Sequence, residues 1–417
     1  MADALDRIAE SLVKEPVVRF FRMVEENDPG LLMKDMTLEE VGPDRWVKLD
    51  GRWVVNFGSD SFLGLDQDPR VKDALRRGLD RWGTHNGSSR AFSSVASNAE
   101  AEQKLAAWLR CESTLIYPSV TLANLGALPA LLSRRDALAV DRHAHRSVQE
   151  GMKLVRAGGA KTAVFAHNDP SDLDRVLQEL RPYRHAVVAV DGVYSMTGTL
   201  PPLRDLRRVA EANDAILYVD DAHGTGVLGR QGRGTVLDAL GDYRGTLFVG
   251  SLSKALSCFG GFLACPERLK FLLALRSSPI VFGGPVPPPY LDAICAVVDL
   301  LRSPAYFPLR KRLSQNMELF LSCVRDHGLE VVGGVGAIAS VVVGDEVATL
   351  QAGRALFERG YYVQSVVFPA VPMHRGVLRV QINANHLPES VRGLGDALAG
   401  VMRAKRRAGE RAAAGER

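Results

Sequence analysis

Residues 215–229 read AILYVDDAHGTGVLG, and residues 246–264 read TLFVGSLSKALSCFGGFLA. Each begins as a short, β-rich apolar run of the kind that fills a sheet covered on both faces. The first run ends in Asp220, with His223 three residues on, which places a carboxylate and an imidazole at one sheet edge. Taken alone, that pair also fits an aspartate capping a turn and a histidine satisfied in the core. The second run ends at a turn where Ser251 and Ser253 flank Lys254. A lysine this close to a buried strand sits in dry surroundings, and burial lowers an ammonium pKa until the amine becomes a usable nucleophile. The same segment carries Gly224-x-Gly226-x-x-Gly229, the letters of a dinucleotide fingerprint. That fingerprint should join a strand directly to a helix. Here Asp-Asp-Ala-His intervenes and Arg-Gln-Gly-Arg-Gly follows, a poor helix start, which argues against nicotinamide binding.

Working outward, similar runs recur at Thr114–Tyr117, Ala137–Asp141, Thr162–Ala166, Ala186–Asp191 and Phe262–Ala264, with amphipathic segments such as Ser171–Leu180 and Leu203–Asn213 between them. Strands alternating with helices predict an α/β fold with a doubly wound, mainly parallel sheet. Ligands bind such sheets beyond the carboxyl ends of the strands, where Asp191, Asp220 and the Ser251–Lys254 turn all fall. After the Pro-rich stretch 277–290 the pattern changes. Helical segments near 290–302 and 306–327 lead to strands near 329–333, 338–343 and 377–382, and a last helix begins near Pro388. We therefore expect an N-terminal arm (1–55) with one helix and a hairpin turning at Asp50-Gly51. A large domain (56–300), a smaller α+β domain (301–402) and a basic tail (403–417) follow.

Composition bounds the function. The 417 residues are 46% apolar and 24% charged, an ordinary globular balance. Basic residues number 52 against 48 acidic, and the excess of four resides in the tail, so the body is neutral and offers no polyanion-binding face. Five scattered cysteines form no CxxC pair and suit a reducing, cytoplasmic location. The charged N-terminus lacks the apolar core of a signal peptide. The long uncharged stretch Ser113–Ser133 holds prolines and hydroxyls, and reads as strand, turn and buried helix instead of a membrane span. His143 and His145 form a His-x-His pair without a third ligand at suitable spacing, so no metal is expected.

Eight motifs, in order, are NFGSDSFLGL (56–65), GTHNGSSR (83–90), DRHAHRS (141–147), FAHND (165–169), GVYSMTG (192–198), VDDAHGTGVLGRQGRG (219–234), GSLSKAL (250–256) and LRVQINANH (378–386). From about Asn56 to the final helix the chain resembles the α-oxoamine synthases. These are pyridoxal-phosphate enzymes of the aspartate-aminotransferase fold, fold type I. The group includes aminooxononanoate synthase, aminolevulinate synthase, aminoketobutyrate ligase and serine palmitoyltransferase. The resemblance implies pyridoxal 5'-phosphate as cofactor, held covalently by Lys254, which also serves as the base. It implies Asp220 on the pyridine nitrogen, His145 over the ring, His223 and Ser195 on the phenolic oxygen, and Ser251 on the phosphate. Arg379 would clamp the substrate carboxylate, a task suited to a guanidinium fork. The implied reaction joins an amino acid to an acyl thioester, with loss of carbon dioxide, in a homodimer. Another enzyme of the same fold, an aminotransferase or a C–C lyase, is the alternative.

Several positions depart from the family's pattern. Its substrate-carboxylate Asn is Asp60 here, so either Asp60 points elsewhere or the amino substrate differs. The usual Gly-aromatic pair beside phosphate and ring is Val120-Thr121, at the start of a helix suited to an anion. A polar residue tied to acyl selection is Ala91, and the partner-subunit hydroxyl near the phosphate is replaced by Gly283-Gly284. These changes leave the implied catalytic residues in place while altering both substrate pockets, as expected of a specialised biosynthetic enzyme. Its acyl group would arrive on coenzyme A or on a carrier protein.

Overall fold

The computed structural model describes residues 3–413. Its central feature is a seven-stranded sheet in the order Ser113–Tyr117, Gly261–Cys265, Thr246–Ser251, Ala215–Asp220, Ala186–Asp191, Ala137–Asp141, Lys161–Phe165. Gly261–Cys265 runs antiparallel to both of its neighbours, and the pairs from Thr246–Ser251 through to Lys161–Phe165 are parallel. The expected mainly parallel α/β sheet is thus present. Its inner strands are continuous apolar runs because helices cover both faces, and every residue of Ala186–Asp191 and of Thr246–Ser251 is buried. Lys161–Phe165 lies at the edge and is only partly buried.

One face is covered by the helix Val120–Leu131, whose Ala123, Ala127 and Leu128 pack with Leu138, Val140, Ala189, Tyr218, Val249 and Leu263 from the sheet. This helix begins directly against the antiparallel strand. A Cβ on Gly261 would lie 2.7 Å from the Val120 amide nitrogen, so only glycine lets the two backbones approach this closely.

The chain divides into two compact units. Residues 60–314 with 335–337 form the unit that contains the sheet just described. The other comprises residues 1–59, 315–334 and 338–417, and holds two four-stranded sheets. In the first, Leu38–Val41, Trp46–Leu49 and Arg52–Asn56 run antiparallel and Tyr361–Tyr362 adds a parallel edge. In the second the order is Val331–Gly333, Ile338–Gly344, Gly376–Gln381, Gln364–Val366. Where one N-terminal helix is expected, there are two, Ala4–Val13 and Pro16–Asn27. Pro16 lacks an amide proton and disfavours helical backbone at the residue before it, so the first helix stops and a second starts with proline in its first turn. The final helix, Pro388–Ala413, runs into the basic tail, whose last four residues lie outside the described ones.

His386, in the last motif, is a packing residue of this second unit. Its Nδ1 accepts from the Asn383 amide at 3.0 Å and its Nε2 donates to the Asn56 carbonyl at 3.0 Å. The ring stacks on Phe57 at 4.0 Å, and burial lowers its pKa to about 3. Neutral imidazole is the form this packing requires.

Candidate active site

Four adjacent parallel strands, in the order Thr246–Ser251, Ala215–Asp220, Ala186–Asp191 and Ala137–Asp141, end in polar side chains at their carboxyl termini. Asp191 and Asp220 lie opposite each other in register. Burial, and then the neighbouring Asp220 charge, push the Asp191 carboxyl well above the usual carboxylate range. Two like charges this close in a dry place repel, and that repulsion adds to burial in holding the proton on Asp191. Its Oδ1 accepts the His145 amide at 2.9 Å, which fixes the start of the helix Arg146–Ala157.

Asp220 is 4% exposed. Its Oδ2 accepts from Asn124 Nδ2 at 2.6 Å and its Oδ1 from the Ala222 amide at 3.2 Å. The Asn124 amide is fully committed. It also donates to Ser147 Oγ at 2.8 Å, and its Oδ1 accepts the Tyr218 hydroxyl at 2.8 Å. Turning the amide over would set its oxygen against the Asp220 carboxylate, so the orientation is fixed. Ser147 Oγ lies 2.7 Å from His145 Nδ1, and the Ser147 amide also points to that nitrogen at 3.3 Å. With its acceptor capacity turned to Asn124, the Ser147 hydroxyl donates to Nδ1, and the His145 proton resides on Nε2. Burial holds this imidazole below the usual histidine range; Asp220 pulls the other way and Lys254 adds to the lowering. His145 therefore presents a neutral ring, tied through Ser147 and Asn124 to Asp220.

Lys254 follows the Thr246–Ser251 strand, half-buried, with Nζ 2.8 Å from His223 Nε2. Ser251 is buried at the strand end and its Oγ accepts the Ser253 amide at 3.2 Å. Ser195 is half-buried in the turn after Asp191. Val120 and Thr121 occupy the first helical positions after Ser119, whose Oγ caps the Leu122 amide at 3.0 Å, so this helix start presents free amides to an anion. Ala91 is exposed in a turn, whereas the preceding Arg90 is tied to Glu102 at 2.8 Å. Gly283 and Gly284 follow the short helix Ser278–Val281. Asp60 is half-buried, and its carbonyl accepts the Phe62 amide at 2.8 Å. Arg379 belongs to the other unit, where it is 3% exposed and donates from Nη1 to Gln364 Oε1 at 2.7 Å.

The residues around Asp220 fit pyridoxal phosphate. Asn124 and Ala222, which donate to the Asp220 carboxylate, are both neutral groups. A buried carboxylate whose hydrogen-bond donors among the described residues are neutral is suited to a cationic ring nitrogen. A primary amine, a flat neutral imidazole and a helix start complete the set of partners that an aldehyde, a ring and a phosphate require.

Other motif residues build the frame. His143 stacks on His167 at 4.1 Å, and His167 Nδ1 meets Asp141 at 3.0 Å. The segment Gly224-x-Gly226-x-x-Gly229 starts no dinucleotide helix; its Gly224, together with Gly192 and Gly234, closes around a second buried carboxylate, Asp221. A Cβ at Gly192, Gly224 or Gly234 would run into that carboxylate. Asp221 Oδ2 accepts the Thr235 amide at 2.8 Å, yet burial still raises the group to about 7. Because the folded state keeps this proton to higher pH than the unfolded chain, its contribution to stability is full below the unfolded pKa and is lost as pH rises toward about 7. Asp221→Asn should remove that slope. Between about pH 5 and about pH 8 the variant should gain about 2–3 kcal/mol over the parent, read from urea unfolding at both pH values. Equal slopes in the two proteins would contradict the assignment.

Sequence reasoning missed Asn124, Ser147 and Tyr218. A signal was present, since Asn124 is a lone amide in the apolar helix VTLANLGALPAL and a buried amide needs partners. Asn124→Leu should weaken cofactor binding by about tenfold, by loss of a charge-assisted hydrogen bond on Asp220. Titration of the cofactor's absorbance measures this, and an unchanged dissociation constant would show that the network is idle.

A family model described as aminotransferase class I and II matches residues 52–398. The chain is 35% identical over 364 residues to the 8-amino-7-oxononanoate synthase of Symbiobacterium thermophilum, covering 87% of this chain and 91% of that protein. It is 36% identical over 343 residues to that of Geobacter sulfurreducens, covering 82% and 86%. Among solved structures, Sphingomonas wittichii serine palmitoyltransferase superposes with a TM-score of 0.88 at 26% identity, covering 97% of this chain and 99% of that one. A structure described as SPT with PLP internal aldimine gives 0.88 at 25% identity, with the same coverage.

Proposed function

The chain belongs to the aminotransferase class I and II family and, within it, to the α-oxoamine synthases; from that membership we propose the roles its own residues play. The reaction is the pyridoxal-phosphate-dependent decarboxylative condensation of an amino acid with an acyl thioester, giving an α-amino ketone. When bound, the cofactor supplies an electron sink for negative charge developing at the substrate Cα. Asp220, its carboxylate directed by Asn124, would pair with the ring nitrogen and favour its cationic form. His145, a neutral imidazole, would stack on one face of the ring. His223 and Ser195 bond the phenolic oxygen. Ser251 and the helix start at Val120-Thr121 receive the phosphate. Lys254 would hold the cofactor through its Nζ, and the same amine would serve as the base for the substrate Cα proton. Arg379 receives the substrate carboxylate. The observation that carries this reading is the Lys254–His223 contact at 2.8 Å, at a sheet edge that also presents a buried Asp220.

The enzyme works as a homodimer in the cytoplasm. Phe92 and Phe282 are 88% and 84% exposed, and they adjoin Ala91 and Gly283, the positions assigned to acyl selection and to the partner's phosphate. Large exposed aromatics beside a site mark a surface that another chain covers. No helix among the described residues is long and apolar enough to cross a membrane. Ala91 offers no donor to a distal carboxylate, which favours acyl groups without one, delivered on coenzyme A or on a carrier protein. An Asp60 side chain turned to the substrate would disfavour a second negative charge beside it and so alter the amino-acid preference; one turned elsewhere would leave it unchanged. The enzyme serves specialised biosynthesis.

Incubating cofactor-loaded protein with single amino acids and a panel of acyl thioesters tests this reading. Release of thiol and carbon dioxide together, with an amino ketone as product, is expected for at least one pair. A keto acid formed while every thioester stays intact would mark an aminotransferase instead.

A further inference from the structure

Three arginines of the sheet-bearing unit, Arg110, Arg230 and Arg233, converge on a cavity of about 390 Å³ that shares no lining residue with the groups around Lys254. Arg110 occupies the left-handed turn after the helix Ala96–Leu109, and Arg230 and Arg233 come from the segment GRQGRG. Arg233 is 7% exposed. Its Nε donates to the Trp108 carbonyl at 2.7 Å and its Nη2 to Gln231 Oε1, so two neutral oxygens orient the guanidinium. Burial, with the Arg110 and Arg230 charges adding to it, depresses the Arg233 pKa. Among the described residues no carboxylate forms an ion pair with any of the three. Asp242, also on the cavity wall, is engaged by Arg207 at 2.7 Å. Tyr243, whose hydroxyl donates to the Leu109 carbonyl at 3.1 Å, gives the cavity an aromatic wall.

We propose that this cavity is a binding site for a phosphate group, carried free or on a small organic body. Three guanidinium groups face two carboxylates, Asp238 and Asp242, and the second is already engaged by Arg207, so the wall keeps an excess of positive charge that attracts an anion. A carboxylate has two oxygens and matches one guanidinium fork, whereas the terminal oxygens of a phosphate accept several at once. The volume exceeds that of a lone ion and lies in the range of small-molecule sites. Asp238, on the same wall, is placed to accept from hydroxyl groups of an organic phosphate.

Calorimetric titration of the cofactor-loaded enzyme, whose cofactor-phosphate site is filled, tests this with two probes, inorganic phosphate and adenosine diphosphate. Sodium chloride at matched ionic strength is the control. Saturable binding of one probe per chain is expected, weakened about tenfold or more in both Arg110→Ala and Arg230→Ala. Tighter binding of adenosine diphosphate would identify an organic phosphate, and equal binding a free one. Both variants alter exposed side chains, leave the Arg233–Trp108 bond in place and should retain the parent's cofactor absorbance and condensing activity. Absence of saturable binding through the millimolar range, or binding undiminished in both variants, would overturn the proposal.

Discussion

Asp220→Asn should lower condensing turnover by about 10²–10³-fold while the fold and the cofactor's covalent attachment persist. The expectation follows from charge. The parent places a buried carboxylate where Asn124 and the Ala222 amide donate to it. Asparagine keeps the shape but removes the negative charge that, in the role proposed for Asp220, would retain a proton on the ring nitrogen, and without that cation the ring would withdraw electrons poorly. Part of the effect is also local, because Asn124 would then donate to an amide and the chain through Ser147 to His145 would relax. Asp220→Glu separates the two contributions. It keeps the charge but moves it by one methylene, and should recover part of the lost rate if charge dominates. A turnover within a few-fold of the parent in Asp220→Asn would show that the carboxylate does not address the ring.

Lys254→Ala should be more damaging, since one side chain is assigned two tasks. The variant should bind the cofactor without a covalent link and turn over about 10³–10⁴-fold more slowly, the upper part of the range for a positioned proton-transfer group, because the covalent link is lost as well. A small primary amine added to the variant should restore a fraction of the rate, because it supplies the missing base where the side chain was. Lys254→Arg should not rescue, as a guanidinium remains protonated and cannot form the link. The pair of outcomes separates a chemical role from a structural one, because a lysine needed only for packing would gain nothing from added amine.

The readable parts of this molecule were those whose physics is local. The strands ending in Asp141, Asp191 and Asp220 stand out because a doubly covered sheet demands unbroken apolar runs, and a break in polarity marks where each strand meets the site. Lys254 and His223 were visible as polar residues just beyond such runs. The strands Leu38–Val41, Tyr361–Tyr362 and Gln364–Val366 were not; each is two to four residues long and lacks the length in which alternation can register. The division of the N-terminal helix turned on a single proline. The network behind Asp220 was hidden for another reason: Asn124 is 94 residues from Tyr218 and 96 from Asp220, and only the folded sheet brings them together. The same limit applies to the arginine cavity, where Arg110 meets residues more than a hundred positions later. The glycine spacing at 224–229 matches a dinucleotide fingerprint in its letters, but its flanking residues argue against that reading from the sequence alone. Gly224 clears the Asp221 carboxylate, whereas Gly226 sits against Ala255 and Leu256 and Gly229 against the Gly234 carbonyl.

Borohydride reduction of the cofactor-loaded protein, followed by proteolysis and mass spectrometry, tests the central assignment most directly. The account predicts a phosphopyridoxyl group on the peptide containing Lys254, absent from every other lysine and lost when excess amino substrate is added before reduction. A modification on a different lysine, or no stable adduct at full cofactor loading, would contradict it.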